Sequence, residues 1–176
     1  MNLPNKLTLM RVILIPVYLV LWHLDFPGNN YAALAVFVVA SLTDFLDGYI
    51  ARKHNLVTDF GKFMDPLADK MLVMAALVCF VELGRLPAWA MLIVIVREFA
   101  VTALRLIAVE GGRVIAAGWS GKIKTASTMV CICLMLALTE FPVLDLVCTI
   151  VILVTTVYSG LEYFIKNKDV MNWSDM

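Results

Sequence analysis

Charged residues are scarce in this 176-residue chain: they make up 16% of it, while 62% of the residues are hydrophobic. Soluble domains are about half apolar and about one quarter charged. The composition therefore excludes an ordinary soluble globular domain and indicates an integral membrane protein. Basic and acidic residues balance at 14 each but are unevenly distributed, so net charge alone says nothing about a nucleic-acid partner. We expect no such partner.

Histidine and cysteine are also few, with two and four residues. His23 and His54 stand alone, without a serine or cysteine nucleophile pattern beside them. The cysteines occur singly or as Cys131-x-Cys133, and on a helix that spacing turns the two thiols about 200° apart. Zinc sites, disulfide frameworks and nucleophilic triads are therefore disfavoured.

Long apolar stretches are what the sequence has in quantity. A transmembrane helix needs about 20 mainly apolar residues, and the chain has room for about six such helices with short connections. We expect an all-α integral membrane protein with six transmembrane helices, forming a single domain over residues 1–176. The predicted spans are Leu7–Leu24, Tyr31–Ile50, Phe63–Leu83, Pro87–Ala108, Thr125–Leu138 and Val143–Ile165.

The basic residues predict the topology of these spans. An even number of spans puts both termini on one side, and the connections of the other side contain a single basic residue, Arg85. The positive-inside rule then places both termini in the cytoplasm. We expect the protein in the inner membrane. The basic residues expected on the cytoplasmic side are Lys6, Arg11, Arg52, Lys53, Lys62, Arg113, Lys122, Lys124, Lys166 and Lys168.

Carboxylates are concentrated between the second and third spans, in the stretch DFLDGYIARKHNLVTDFGKFMDPLADK. At about 100° per residue, Asp44 and Asp47 share one helix face, and Asp65 and Asp69 share a face of the next helix. An aspartate at the centre of a bilayer costs about 2.5–3.5 kcal/mol on insertion scales, and clustered carboxylates also repel one another. Something must neutralise them.

Bound divalent cations explain this carboxylate group best. Carboxylate oxygens without histidine or cysteine select hard ions, so we expect one or two Mg²⁺ or Mn²⁺ ions and chemistry at phosphorus. Spacing alone leaves two alternatives open. The carboxylates would also suit a cation or proton transporter, and Asp65 followed by Pro66 would suit a helix cap.

The same residues form a pattern with fixed offsets, Asp44-x2-Asp47-Gly48-x2-Ala51-Arg52-x8-Gly61-x3-Asp65-x3-Asp69. At every fixed position it resembles the signature of the CDP-alcohol phosphatidyltransferase family, and span order and length extend the resemblance over nearly the whole chain. The resemblance implies an enzyme that displaces CMP from a CDP-linked lipid at a centre of two Mg²⁺ or Mn²⁺ ions. It implies metal ligation by Asp44, Asp47, Asp65 and Asp69, with Asp69 also acting as general base.

The resemblance also implies where the CDP-linked lipid binds. Gly48 and Ala51 would leave room for the cytidine and diphosphate, Arg52 would pair with phosphate, and Gly61 would let a loop approach the next helix. The run PNKLTLMR resembles a segment that borders the CDP pocket in related enzymes, although each of its residues also fits an ordinary helix start. The full set is Asn5, Thr8, Arg11, Asp47, Gly48, Ala51, Arg52 and Gly61.

Basic residues in the second half indicate where the acceptor binds. An arginine inside an apolar span needs a partner, either a carboxylate such as Glu98 or an anionic ligand. Four basic residues are candidates to receive a phosphate together: Arg97, Arg105, Lys122 and Lys124. They would supply forked hydrogen bonds and point charge, although satisfying topology or binding anionic lipid headgroups would also explain some of them.

Two segments near these residues resemble one branch of the family. VREFAVTALR and SGKIKT are similar to segments of its bacterial phosphatidylglycerophosphate synthases, which implies CDP-diacylglycerol as donor and glycerol 3-phosphate as acceptor. Inositol phosphate and serine are the alternative acceptors. Membrane lipids and a second copy in a homodimer are the other expected partners.

We predict that Asp69→Asn abolishes turnover but leaves binding of the CDP-linked lipid largely intact, because the amide cannot take a proton from the acceptor hydroxyl. Turnover is measured as CMP release, and binding is measured with the CDP-lipid alone. Equal loss of both would mean that Asp69 is chiefly a ligand.

Overall fold

The computed structural model describes the backbone of residues 3–54, 59–112, 115–116 and 118–170, and the side chains of 7–43, 64, 67–112, 115–116 and 118–170. Six α-helices and no strand occur in these ranges. The helices are α1 Leu3–His23, α2 Asn29–His54, α3 Asp59–Glu82, α4 Ala88–Glu110, α5 Trp119–Ala137 and α6 Pro142–Lys166, followed by a 3-10 turn at Lys168–Val170.

The predicted number and class of elements are confirmed for this part of the chain. Each of the six predicted spans falls on one of the six helices. By length and composition, α5 and α6 are apolar enough to cross a membrane, and the segments Leu7–His23 and Asn29–Thr43 are shorter apolar helices. These features indicate a helical membrane protein.

Two helices begin earlier in the chain than the predicted spans. Helix α3 begins at Asp59, a residue type that favours a helix N-terminus, so Gly61 and Asp65 lie inside the helix rather than in a loop or at a cap. Asp145 lies in the first turn of α6, inside the predicted span Val143–Ile165. Helix α5 begins at Trp119 rather than at Thr125, so Lys122 and Lys124 lie within its first two turns.

The chain forms two compact units. The first contains Met1–Glu82 and Ile132–Phe141, and the second contains Leu83–Cys131 and Pro142–Met176. In the first unit α1 packs against α2 and α3. The α1–α2 turn uses Gly28 at φ 86, a conformation that favours glycine. The side-chain amide of Asn29 donates to the carbonyls of Trp22 and Leu24, at and just beyond the end of α1.

Aromatic side chains hold the first unit together. Tyr18 is fully buried, stacks on Trp22 at 6.3 Å between ring centroids and lies 6.4 Å from Phe37 of α2. The edge of Trp22 meets Phe80 of α3 at 5.8 Å. At the same end, His23 Nε2 lies 3.0 Å from Glu82 Oε2, so α1 and α3 run parallel.

In the second unit α4 and α6 pack together, and side-chain contacts near both ends show that they run parallel. Before α4, Arg85 donates from Nε and Nη2 to the two carboxylate oxygens of Asp145, at 2.8 and 2.6 Å. Near the far ends, Arg105 of α4 donates to Tyr163 of α6 at 3.0 Å. These contacts fix the axial register of the two helices.

We predict that Arg85→Ala destabilises the protein by about 3–5 kcal/mol, because it leaves the Asp145 carboxylate buried without this forked partner. The side chains of Arg85 and Asp145 are only 10% and 12% exposed. Unfolding in detergent micelles measures the loss. The exposed pair of Glu162 and Lys166 on α6 supplies the control, and Lys166→Ala should cost far less. Similar losses in both variants would contradict a stabilising role for the buried pair.

Candidate functional site

The motif residues lie on two helices of the first unit that contact each other. Asp44, Asp47, Gly48, Ala51 and Arg52 belong to α2, and Gly61, Asp65 and Asp69 belong to α3. Both helices are continuous through these positions. The three-residue and four-residue spacings therefore put the backbone positions of each aspartate pair on one face of its helix.

Asp69 is the one motif aspartate whose side chain the structure describes. It is half-buried and takes part in an interaction within the protein. Its neighbours Ala68 and Leu72 are buried in the core of the first unit, at 0% and 1% exposure. The side chains of Asp44, Asp47 and Asp65 lie outside the described residues, and among those described no group of three potential ligands forms a metal site.

On α1, the predicted CDP-pocket residues Thr8 and Arg11 are buried, at 1% and 0% exposure. Both take part in interactions within the protein. A guanidinium in an apolar interior requires compensation by charge or hydrogen bonds, whereas an arginine that serves only topology would reach the polar surface. Burial therefore disfavours a role in topology alone, and binding of the CDP-lipid by Arg11 stays a prediction. The side chain of Asn5 lies outside the described residues.

The second unit contains a buried ion cluster made of Arg97, Glu98 and Lys124, here called the Glu98 cluster. One oxygen, Glu98 Oε1, accepts from Arg97 Nη1 at 2.8 Å and from Lys124 Nζ at 2.6 Å. The three side chains are 13%, 11% and 7% exposed. The sequence indicated that Arg97 needs a carboxylate partner such as Glu98. It gave no indication that Lys124 binds the same oxygen of Glu98.

The Glu98 cluster has an excess of positive charge in the contacts described, with two cations on one carboxylate. Arg97 Nε is buried and makes no hydrogen bond with the described part of the chain. A buried donor without an acceptor costs about 1–3 kcal/mol. An anionic ligand at the cluster would balance its charge.

Two glycines make room for Arg97. A methyl group at Gly160 of α6 would lie 3.2 Å from Arg97 Cγ, and one at Gly121 of α5 would lie 3.8 Å from Arg97 Nη2. The backbones of both helices therefore approach this side chain closely. Sequence reasoning missed Gly160, although a lone glycine inside an apolar span is a signal of close packing.

The other two predicted acceptor residues, Arg105 and Lys122, are held by aromatic rings. Arg105 Nε donates to Tyr163 Oη at 3.0 Å, and its Cζ lies 5.5 Å from the centroid of that ring. Lys122 Nζ lies 5.0 Å from the centroid of the Trp119 ring. Direct contacts thus bring Arg97 and Lys124 together, while Arg105 and Lys122 each have a separate aromatic partner. Sequence reasoning did not predict the contacts of Tyr163 with Arg105 or of Trp119 with Lys122.

Comparison with known proteins gives a consistent result. Residues 1–161 match the family model for CDP-alcohol phosphatidyltransferase. A CDP-diacylglycerol–glycerol-3-phosphate 3-phosphatidyltransferase of Bacillus subtilis is 43% identical over an alignment of 192 positions, which covers 99% of each chain. The enzyme of that name in Escherichia coli K12 is 43% identical over 136 residues, 73% of each chain. A probable phosphatidylglycerophosphate synthase of Mycobacterium tuberculosis is 38% identical over 92% of this chain and 79% of its own.

We predict that Glu98→Gln lowers the free energy of unfolding by about 3 kcal/mol or more, because Arg97 and Lys124 are then buried together without their shared anion. The amide preserves the shape of the side chain and changes only its charge and hydrogen bonding. Glu82→Gln is the matched control, since the Glu82 side chain is 57% exposed and pairs with an exposed His23. If both variants unfold like the parent protein in micelles, the Glu98 cluster is not stabilised by its charge balance.

Proposed function

The chain belongs to the CDP-alcohol phosphatidyltransferase family, and on that premise we propose that it transfers the phosphatidyl group from CDP-diacylglycerol to sn-glycerol 3-phosphate. The products are phosphatidylglycerophosphate and CMP. Two relatives at 43% identity carry this activity in their names, one of them matched over 99% of both chains. The observation that carries the choice of acceptor is the Glu98 cluster, in which two buried cations share one carboxylate.

The acceptor phosphate would bind the basic residues of the second unit. Arginine gives forked hydrogen bonds to phosphate oxygens, and lysine adds point charge. The forked hydrogen bonds would come from Arg97 and Arg105. The additional positive charge would come from Lys122 and Lys124. Because Glu98 and the aromatic rings already hold these side chains, little conformational freedom is lost when the phosphate binds. A phosphorylated acceptor fits this site better than serine does.

The carboxylates of α2 and α3 would hold the metal ions. Asp44, Asp47, Asp65 and Asp69 offer only oxygen ligands on two helices that contact each other, which suits two Mg²⁺ or Mn²⁺ ions. When bound, such ions supply positive charge to the bridging phosphate and the departing CMP. Without them the four carboxylates repel one another in an apolar bundle.

Asp69 would act as general base. Its carboxylate takes the proton of the acceptor hydroxyl as that oxygen bonds to the lipid-linked phosphorus, and the bond from phosphorus to the CMP oxygen breaks. Around the donor, Gly48 and Ala51 leave room for the cytidine and diphosphate, and Arg52 pairs with phosphate. Thr8 and Arg11, buried on α1, complete the residues assigned to the CDP-lipid.

We place the enzyme in the inner membrane as one domain over residues 1–176. All six helices would span the bilayer with both termini in the cytoplasm, as the distribution of basic residues indicates. The acyl chains of the donor would then enter from the lipid, and the polar acceptor would come from the cytosol. Membrane lipids and a second copy of the chain are the other proposed partners.

The proposal predicts acceptor-dependent CMP release by the purified protein. CDP-diacylglycerol is offered with glycerol 3-phosphate, inositol phosphate or serine, in the presence of Mg²⁺ or Mn²⁺, and CMP is quantified. We expect release with glycerol 3-phosphate well above release with the other two. Release mainly with serine or inositol phosphate would overturn the acceptor assignment. Cation or proton flux in proteoliposomes without any CMP release would overturn the assignment as a transferase.

A further inference from the structure

The side chain of Tyr163 is fixed in the second unit. It lies near the end of α6 with 8% exposure, in a hydrophobic cluster with Val101 and Leu104 of α4. Partly buried apolar side chains close the cluster: Ile115, Phe164 and Val170. Because the ring is packed on several sides, its hydroxyl is held in one direction.

That hydroxyl contacts a predicted substrate-binding arginine. Arg105 Nε donates to Tyr163 Oη at 3.0 Å, and the guanidinium carbon lies 5.5 Å from the ring centroid. The Arg105 side chain is otherwise exposed. One hydrogen bond and one cation–π contact thus hold a long, flexible side chain to a rigid partner.

The choice of nitrogen matters for ligand binding. A guanidinium has one Nε–H and two terminal amino groups, and two neighbouring N–H groups form a fork that matches two oxygens of a phosphate. Tyr163 engages Nε and leaves the terminal groups of Arg105 to form such a fork. An arginine without this contact must be ordered when the ligand arrives, which weakens binding.

We infer that Tyr163 is a positioning residue that orients Arg105 toward the phosphate of the acceptor. The inference rests on the proposed function, because it takes a phosphorylated acceptor as the ligand of Arg105. Tyr163 acts through Arg105 and does not itself contact the substrate. Loss of the Tyr163 contact should therefore weaken binding of the acceptor, without changing the chemical step or binding of the donor.

The first test is Tyr163→Phe, which removes the hydroxyl and keeps the packed ring. We expect the KM for glycerol 3-phosphate to rise roughly three- to tenfold, the range for loss of one hydrogen bond, while kcat and the KM for CDP-diacylglycerol stay nearly constant. Tyr158→Phe is the matched control, because Tyr158 lies on the same helix and is 64% exposed. A fall in kcat with no rise in this KM would overturn the inference.

A double-mutant cycle with Arg105→Ala separates positioning from a general structural effect. Arg105→Ala should raise the KM for glycerol 3-phosphate more than that for the CDP-lipid, and adding Tyr163→Phe should then change neither further. If Tyr163→Phe raises the KM by the same factor with and without Arg105, Tyr163 does not act through the arginine. That result overturns this inference and leaves the proposed function intact.

Further substitutions at Arg105 and measurements of stability distinguish the other possible outcomes. Arg105→Lys keeps a positive charge but lacks the guanidinium fork, so its KM for glycerol 3-phosphate should rise and be insensitive to Tyr163→Phe. An unchanged KM for glycerol 3-phosphate in Arg105→Ala would overturn both the acceptor site and the role of Tyr163. The unfolding temperatures of all variants in micelles show whether a change in KM comes from loss of structure. A rise in KM in Tyr163→Phe that is accompanied by loss of structure would count against positioning.

Discussion

Charge compensation inside apolar helices is the constraint on which this structure depends. One oxygen of Glu98 binds both Arg97 and Lys124, and the carboxylate of Asp145 binds Arg85 through two hydrogen bonds. Each of these groups would be costly to bury alone, because no water replaces a missing partner. The pairs therefore decide which faces of α4, α5 and α6 turn inward in the second unit.

The same constraint links structure to chemistry. In the second unit, the described contacts leave an excess of positive charge at the Glu98 cluster, and a phosphate is the ligand that would balance it. In the first unit, the motif places four carboxylates on α2 and α3, and divalent cations are the ligands that would balance them. An enzyme that moves a phosphatidyl group needs both kinds of site, since its donor and its acceptor carry phosphate and its leaving group is CMP.

Sequence reasoning succeeded where the signal is local. Apolar length predicts six helices, and fixed offsets within one short stretch identify the motif from Asp44 to Asp69. It failed where the signal lies in tertiary contacts. Arg85 and Asp145 are 60 positions apart and Arg105 and Tyr163 are 58 apart, so no periodicity joins them. Helix starts were also missed, because Asp59 and Trp119 extend α3 and α5 beyond their apolar runs.

The central claim is that bound divalent ions compensate the motif carboxylates and that catalysis requires them. The most direct measurement strips the purified protein with a chelator and titrates it with Mn²⁺, following both bound Mn²⁺ by electron paramagnetic resonance and CMP release. The account predicts negligible release from the stripped protein, with recovery that saturates as about two ions bind per chain. Full CMP release after exhaustive chelation would contradict it.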